Sequence, residues 1–324
     1  MDRLRIYVDF AAPADAMDLL RSGASAHDLI FPLKPAASVL GKGEPDPRFA
    51  AADVAFGQPD TQAIADAPAL KWVHISSSGI TRYDNPPFRA LMAERKIAVS
   101  NSTSVFYEAC AVHALSFMLA QARKLPLALQ TRTPGGSDTW NAVRAASRTL
   151  RGETVLILGF GAIGRRLADL LRPFHMNVLA YRRKPRGDEA VPIVAPADFP
   201  RVAALADHVV NLLPDSPETR LFCNRAWFAS MKPGSVFYNI GRGTTVDQDA
   251  LLDALRSGRL AAAWLDVAEP EPLPGNHPLL SQPNCFMTPH VAGGQFEESK
   301  ALVRHFLANL ERFIQDAPLA DRVM

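Results

Sequence analysis

Short apolar runs of strand length alternate along the whole chain with longer segments whose apolar residues recur every three to four positions. In the first hundred residues, runs at 4–10, 53–56, 72–76 and 97–99 are separated by Ala-rich segments of helical character. That alternation predicts a small α/β domain with a parallel sheet. A long helical pattern spans 105–130, and Pro126 is expected to bend or break it. The loop signal at 133–137 then leads through Trp140 to a second series of runs at 154–158, 177–181, 208–213, 235–240, 262–267 and 285–288. Six strands in this order predict two mononucleotide-binding halves of one doubly wound sheet. A last helical pattern, 297–314, carries Leu302, Phe306, Leu310 and Phe313 at helical spacing with no seventh strand to cover. It is expected to pack back on the first domain, so that residues 1–100 with 292–324 form a substrate domain, 101–291 a cofactor domain, and the cleft between them the active site.

Composition narrows the class. The chain has 324 residues, 48% of them apolar, enough for two cores of ordinary size. A net charge of +2 gives no field for nucleic acid or a membrane surface. Cys110, Cys223 and Cys285 are too few and too scattered for a disulfide framework or a C-x-x-C metal site, and no His/Cys/carboxylate cluster has metal spacing. The stretch 109–122 contains His113 and falls short of a membrane span, and no signal-like segment precedes the first strand run. A soluble, cytoplasmic, metal-free protein is expected.

The most informative stretch is 154–186, TVLILGFGAIGRRLADLLRPFHMNVLAYRRKPR. Gly159, Gly161 and Gly164 supply the G-x-G-x-x-G spacing between a strand and a helix whose Leu167, Leu170, Leu171 and Phe174 share one face. The first glycine permits the tight turn, the second lets backbone approach a pyrophosphate, and the third allows helix and sheet to pack closely. With Ala162 and Ile163, they make the helix N-terminus a phosphate site. An NAD-binding unit ordinarily ends its second strand in Asp or Glu, whereas this chain has Arg182, Arg183 and Lys184, with Arg186 close behind. That cluster suits a 2′-phosphate. NADP(H) is therefore the expected cofactor, with NAD(H) the alternative.

In an open α/β sheet the ligand lies beyond the carboxyl ends of the strands, where Arg242, Glu271 and His290 follow the fourth, fifth and sixth strands of this series. An arginine can grip a carboxylate bidentately, a histidine can exchange a proton near neutral pH, and a carboxylate beside it can orient the ring. Together they form a site for a 2-oxo or 2-hydroxy acid. Within these residues alone, Glu269 competes with Glu271 and His277 with His290.

The motifs LRGETVLILGFGAIG, LLPDSPETR, MKPGSVFYNIGRG, VDQDALLDALRSGRLAAAWLDVAEPEPLP and LLSQPNCFMTPHVAGG resemble the D-isomer-specific 2-hydroxyacid dehydrogenase family, and the resemblance runs from Lys71 to His305. It implies a Rossmann-type cofactor domain plus a smaller flavodoxin-like α/β substrate domain, and a homodimer built on the former. It matches the family's catalytic arginine, glutamate and histidine to Arg242, Glu271 (five places after Asp266) and His290. It matches the carboxylate-binding backbone loop to Ser78 and Gly79, and the residue holding the nicotinamide amide to Asp266. Pro214, Ile240, Ala292 and Gly293 fall at cofactor-contacting positions, and Trp140 at one that reaches a partner's pocket unless it is core. The implied activity is reduction of a small 2-oxo acid of the glyoxylate or hydroxypyruvate kind to the D-2-hydroxy acid with NADPH, His290 acting as general acid. Two alternatives stand beside it. One is an NAD(P)H-sensing corepressor-like scaffold. The other is an NAD-linked dehydrogenase of a phosphorylated hydroxy acid, with Arg82 on the phosphate.

Overall fold

The computed structural model describes residues 3–36, 41, 43–130 and 136–324, so Thr133, Pro134 and Gly135 of the expected loop lie outside the described residues. The chain divides into two units, residues 1–106 with 294–324, and residues 107–293.

The first unit is built on five parallel strands, β1 (Arg5–Val8), β2 (Asp28–Ile30), β3 (Val54–Gly57), β4 (Trp72–Ile75) and β5 (Ala98–Ser100), in the order β2-β1-β3-β4-β5. This is the flavodoxin-like order. β2 is a strand that the apolar pattern misses, because it has three residues, lies at an edge and is nowhere fully buried. The helix Glu298–Ile314 covers one face of this sheet: Phe306 stacks on Phe56 with ring centroids 4.2 Å apart and on Trp72 at 5.3 Å. Burying such a ring stabilises by about 1.5–3 kcal/mol, before any gain from stacking. Gly23 lets the helix seat Leu307 closely, since a Cβ there would lie 2.4 Å from Leu307 Cδ1 and that side chain would have to turn aside.

The second unit holds β6 (Thr154–Leu158), β7 (Asn177–Tyr181), β8 (His208–Asn211), β9 (Ser235–Asn239), β10 (Leu260–Leu265) and β11 (Cys285–Met287), all parallel, in the order β11-β10-β9-β8-β6-β7. Ile193 adds a single bridge to Ala180 at the outer edge of β7, a rudimentary further strand too short to leave a pattern. Period two sorts the strand residues to opposite faces. Leu156, Leu158 and Phe237 face a core with the helices Phe199–Ala203, Arg225–Ser230 and Gln248–Arg256. Val155, Ile157 and Tyr238 face another with the helices Thr103–Ala122 and Ala162–Leu171. With both faces covered, the strands read as continuous apolar runs.

The helical pattern 105–130 is two helices, Thr103–Ala122 and Leu125–Gln130, broken at Lys124, whose φ is 52°. The break comes just ahead of Pro126, where the proline ring forces it. Thr103–Ala122 is, by length and composition, long and apolar enough to cross a membrane, more so than the stretch 109–122 indicates, yet Ala111, Ala114, Phe117, Met118 and Ala122 are core residues. Trp140 lies on a helix of its own, Asp138–Ala146, at the surface with the Arg144 guanidinium 4.7 Å from its ring, which removes the core reading.

Candidate functional site

β6 ends at Leu158, and the chain turns through Gly159 at φ 91°, where a side chain would also press its Cβ to 2.8 Å from the Leu212 carbonyl oxygen. Gly164 lets the helix Ala162–Leu171 sit against the turn, its notional Cβ being 2.6 Å from the Gly159 oxygen. Gly161 differs from both: nothing lies within 4 Å of its notional Cβ, and it caps the helix without a side-chain hydrogen bond. Uncapped N–H groups at Ala162 and Ile163 beside open space fit a pyrophosphate. Pro214 is exposed beyond β8, and Ile240 is buried beyond β9, its N–H bonded to the Asn211 carbonyl at 3.1 Å.

At the end of β7, Arg182 Nη1 lies 3.1 Å from Glu189 Oε1, and Arg183 reaches Glu218 at 3.6 Å on the open surface. A cationic edge is present, but each arginine has a carboxylate beside it. Glu189 is missed in the sequence because an acid past a glycine turn looks like solvated charge.

The acid–base residues gather on the carboxyl ends of β9 to β11. His290 Nδ1 is 3.0 Å from Glu271 Oε1. His277 is occupied otherwise, accepting the Leu279 N–H at 3.3 Å as the cap of the helix Pro278–Ser281. Of the two glutamates, Glu271 is the one paired with the histidine, while the Glu269 N–H donates to Gln248 Oε1 at 3.1 Å. A cavity of about 500 Å³ lies against the dyad, lined on its apolar side by Pro272, Leu273, Leu280 and Met287.

His290 is held in the left-handed region, φ 52°, by its N–H donating to the Asp266 carbonyl at 2.9 Å. Such backbone is uncommon for a residue with a side chain and persists where its surroundings over-determine it. Asp266 supplies those surroundings. Only 1% exposed, it accepts Thr288 Oγ1 at 2.5 Å, the Val291 N–H at 2.9 Å and the Ala292 N–H at 2.9 Å, so one carboxylate pins the loop on both sides of His290 and the segment leading to Gly293. His113 Nε2 meets Thr288 Oγ1 at 3.2 Å, and burial lowers the pKa of its ring, with Asp266 opposing.

Arg242 is carried by a polar core that its neighbours in the sequence do not signal. Its carbonyl accepts from Asn239 Nδ2 at 3.1 Å and Thr245 Oγ1 at 2.7 Å, and Asn211 Nδ2 joins these two side chains at 3.0 and 2.7 Å. All three are buried. Gly243 lets the Arg242 turn meet the loop bearing Glu271: a Cβ there would be 2.0 Å from the Ala268 backbone. Asp266 and Arg242 also act in opposite directions on Cys110, whose thiol burial pushes up to about 11.

In the first unit, Ser78 and Gly79 follow β4. Asn101 Nδ2 donates to the Ser78 carbonyl at 2.7 Å and Ser77 Oγ to the Gly79 carbonyl at 2.7 Å, while the N–H groups of Ser78 and Gly79 have no partner among the described residues. Asp9, just past β1, is 1% exposed with neither carboxylate oxygen hydrogen-bonded among the described residues. Burial raises it to about 7 against the opposing pull of Arg82. Nothing in the sequence marks it out.

Residues 115–292 match the family model "D-isomer specific 2-hydroxyacid dehydrogenase, NAD binding domain". A human protein named glyoxylate reductase/hydroxypyruvate reductase is 40% identical over 200 residues, 61% of this chain and 61% of its own length. The glyoxylate reductase of Pyrococcus furiosus is 32% identical over 78% of this chain and 76% of its own. Among solved structures, a D-isomer specific 2-hydroxyacid dehydrogenase from Xanthobacter autotrophicus Py2 in complex with NADPH and MES is similar over 100% of this chain and 98% of its own, with 26% identity and a TM-score of 0.78. The chain belongs to the D-isomer specific 2-hydroxyacid dehydrogenase family.

Proposed function

We propose that this protein is an enzyme that reduces a small 2-oxo acid of the glyoxylate or hydroxypyruvate kind to the D-2-hydroxy acid, with NADPH preferred over NADH. The observation that carries the reading is the Glu271–His290 pair, 3.0 Å apart, on the same sheet edge as Arg242 and the glycine turn. The names of the human and Pyrococcus relatives support the substrate class, and Arg182 with Arg183 supports the 2′-phosphate.

Gly159, Gly161, Ala162, Ile163 and Gly164 would hold the pyrophosphate, and Arg182 and Arg183 the 2′-phosphate. Pro214, Ile240, Asp266, Ala292 and Gly293 line the rest of the strand ends. When bound, the reduced nicotinamide supplies a hydride for C2 of the substrate. Glu271 accepts from Nδ1 of His290 and so leaves Nε2 to give its proton to the carbonyl oxygen. Arg242 takes the substrate carboxylate in a forked pair and draws charge toward the carbonyl. In this reading the partner-free N–H groups of Ser78 and Gly79 are further carboxylate donors. Val112, Leu125, Leu127, Leu129 and Trp140, all exposed apolar side chains, supply the face for a homodimer.

The test is the fall in NADPH absorbance on adding glyoxylate or hydroxypyruvate. His290→Gln should lower kcat by about 10²–10⁴-fold with NADPH affinity nearly intact, since general acid catalysis contributes about that much. Near-normal turnover would move the proton donor elsewhere.

A further inference from the structure

The turn after β7, residues 182–189, is more ordered than a surface run of charges needs to be. Gly187, at φ 85°, reverses the chain and brings Glu189 back under the strand end. The Glu189 side chain is only 4% exposed, and its carboxylate gathers three donors: Arg182 Nη1 at 3.1 Å, the Arg186 N–H at 2.7 Å and the Gly187 N–H at 2.9 Å. Those backbone bonds, Arg186 foremost, hold the carboxyl below its usual range. The consequence falls on Arg182. Its side chain is 17% exposed, against 66% for Arg183, and one guanidinium edge is clamped while its other N–H groups have no protein partner among the described residues. The turn contains four cations and two carboxylates, so its field stays positive despite the clamp. An arginine fixed before its ligand arrives loses less side-chain freedom on binding than one waving in solvent.

We propose that Glu189 is the positioning residue for NADP(H) selectivity, acting through Arg182 and never touching the cofactor itself. The inference rests on the NADPH reading above. It divides the work at this edge: Arg182 is the pre-oriented contact to a 2′-phosphate, and the exposed Arg183 adds attraction without fixed geometry.

The experiment measures dissociation constants for NADPH, NADH and 2′,5′-ADP, by cofactor fluorescence and calorimetry, in the full-length wild type and in Glu189→Ala, Glu189→Gln, Arg182→Ala and the Arg182→Ala/Glu189→Ala double variant. Wild type should bind NADPH at least about tenfold more tightly than NADH, the factor worth about 1.4 kcal/mol. Glu189→Ala should weaken NADPH and 2′,5′-ADP by about five- to tenfold and leave NADH within about twofold. Glu189→Gln, which keeps one acceptor oxygen, should recover part of the loss. Once Arg182 is alanine, removing Glu189 should cost nothing more, the non-additivity expected of residues that act as one unit. Unchanged or tighter NADPH binding in Glu189→Ala would overturn the proposal, the second outcome because the carboxylate would then compete with phosphate for Arg182. An equal loss for NADH would overturn it too, as a purely structural role. Equal affinities of the wild type for NADPH and NADH would instead remove the NADPH reading.

Discussion

Two aspartates, Asp9 in the first unit and Asp266 in the second, stand just past the carboxyl ends of parallel strands, each 1% exposed, and their environments are opposite. Asp266 accepts from one hydroxyl and two backbone N–H groups. Asp9 accepts from nothing among the described residues, and burial drives it up to about 7. Burial is the same in both, so the supply of donors makes the difference. A buried carboxylate is a fixed structural anchor where backbone N–H groups converge on it, and a group held toward its neutral form where they do not. The anchor serves the loop that aims His290.

The comparison breaks most visibly at Asp266. Asp266→Asn keeps the size but can offer only one acceptor oxygen, leaving a backbone N–H of the loop facing an amide. We expect a stability loss of about 1–3 kcal/mol from the unsatisfied donor. We also expect a fall in kcat of about 10²-fold, since misplacing a reacting group by about 1 Å can cost that much. Steady-state kinetics and denaturant titration check both. Activity close to wild type would mean that the strands alone position His290.

Asp9→Asn should act with the other sign. The folded state holds this proton up to about pH 7, whereas an unfolded aspartate releases it near 3.8. Stability from this group is therefore fully present below about pH 4 and is lost as pH rises through about 7. The amide variant, which cannot ionise, should match wild type or differ slightly only near pH 4 and below, and should already lead it by about 1–2 kcal/mol at pH 5. At pH 8 it should exceed wild type by up to about 3–4 kcal/mol, because each tenfold change in proton affinity between the folded and unfolded chain is worth about 1.4 kcal/mol. Denaturant midpoints at pH 5, 6, 7 and 8 test this. Parallel stability curves for the two proteins would show that Asp9 finds donors in solution.

The smallest effect concerns what lies over Asp9. A Cβ on Gly43 would fall 2.0 Å from Asp9 Oδ2, so Gly43→Ala should cost about 1–3 kcal/mol through overpacking. In an Asp9→Ala background most of that cost should vanish. Additive losses in the double variant would mean that Gly43 is constrained by something other than the carboxylate.

Much of the second unit was legible in the order of residues because its signals are local. The glycine spacing after Thr154–Leu158, the apolar period of Ala162–Leu171 and the charged end of β7 each occupy one short window. The first unit was less legible, and β2 was lost because a half-exposed edge strand of three residues leaves too little apolar pattern. The candidate site was legible as a set of residue types at strand ends and illegible as a set of contacts.

The reason is that a side chain's partners come from segments far apart in the chain, and packing alone decides which segments meet. Nothing around Asn211 announces that it braces the turn bearing Arg242, and nothing around Glu189 announces three donors. Asp9 in YVDF and Asp266 in WLDV are nearly the same local signal, a carboxylate ending an apolar run, and that much the sequence by itself determined. Whether donors wait there was decided only by the tertiary structure, which folds the 288–292 loop over one of them and sets Gly43, with no donor to offer its carboxylate, against the other.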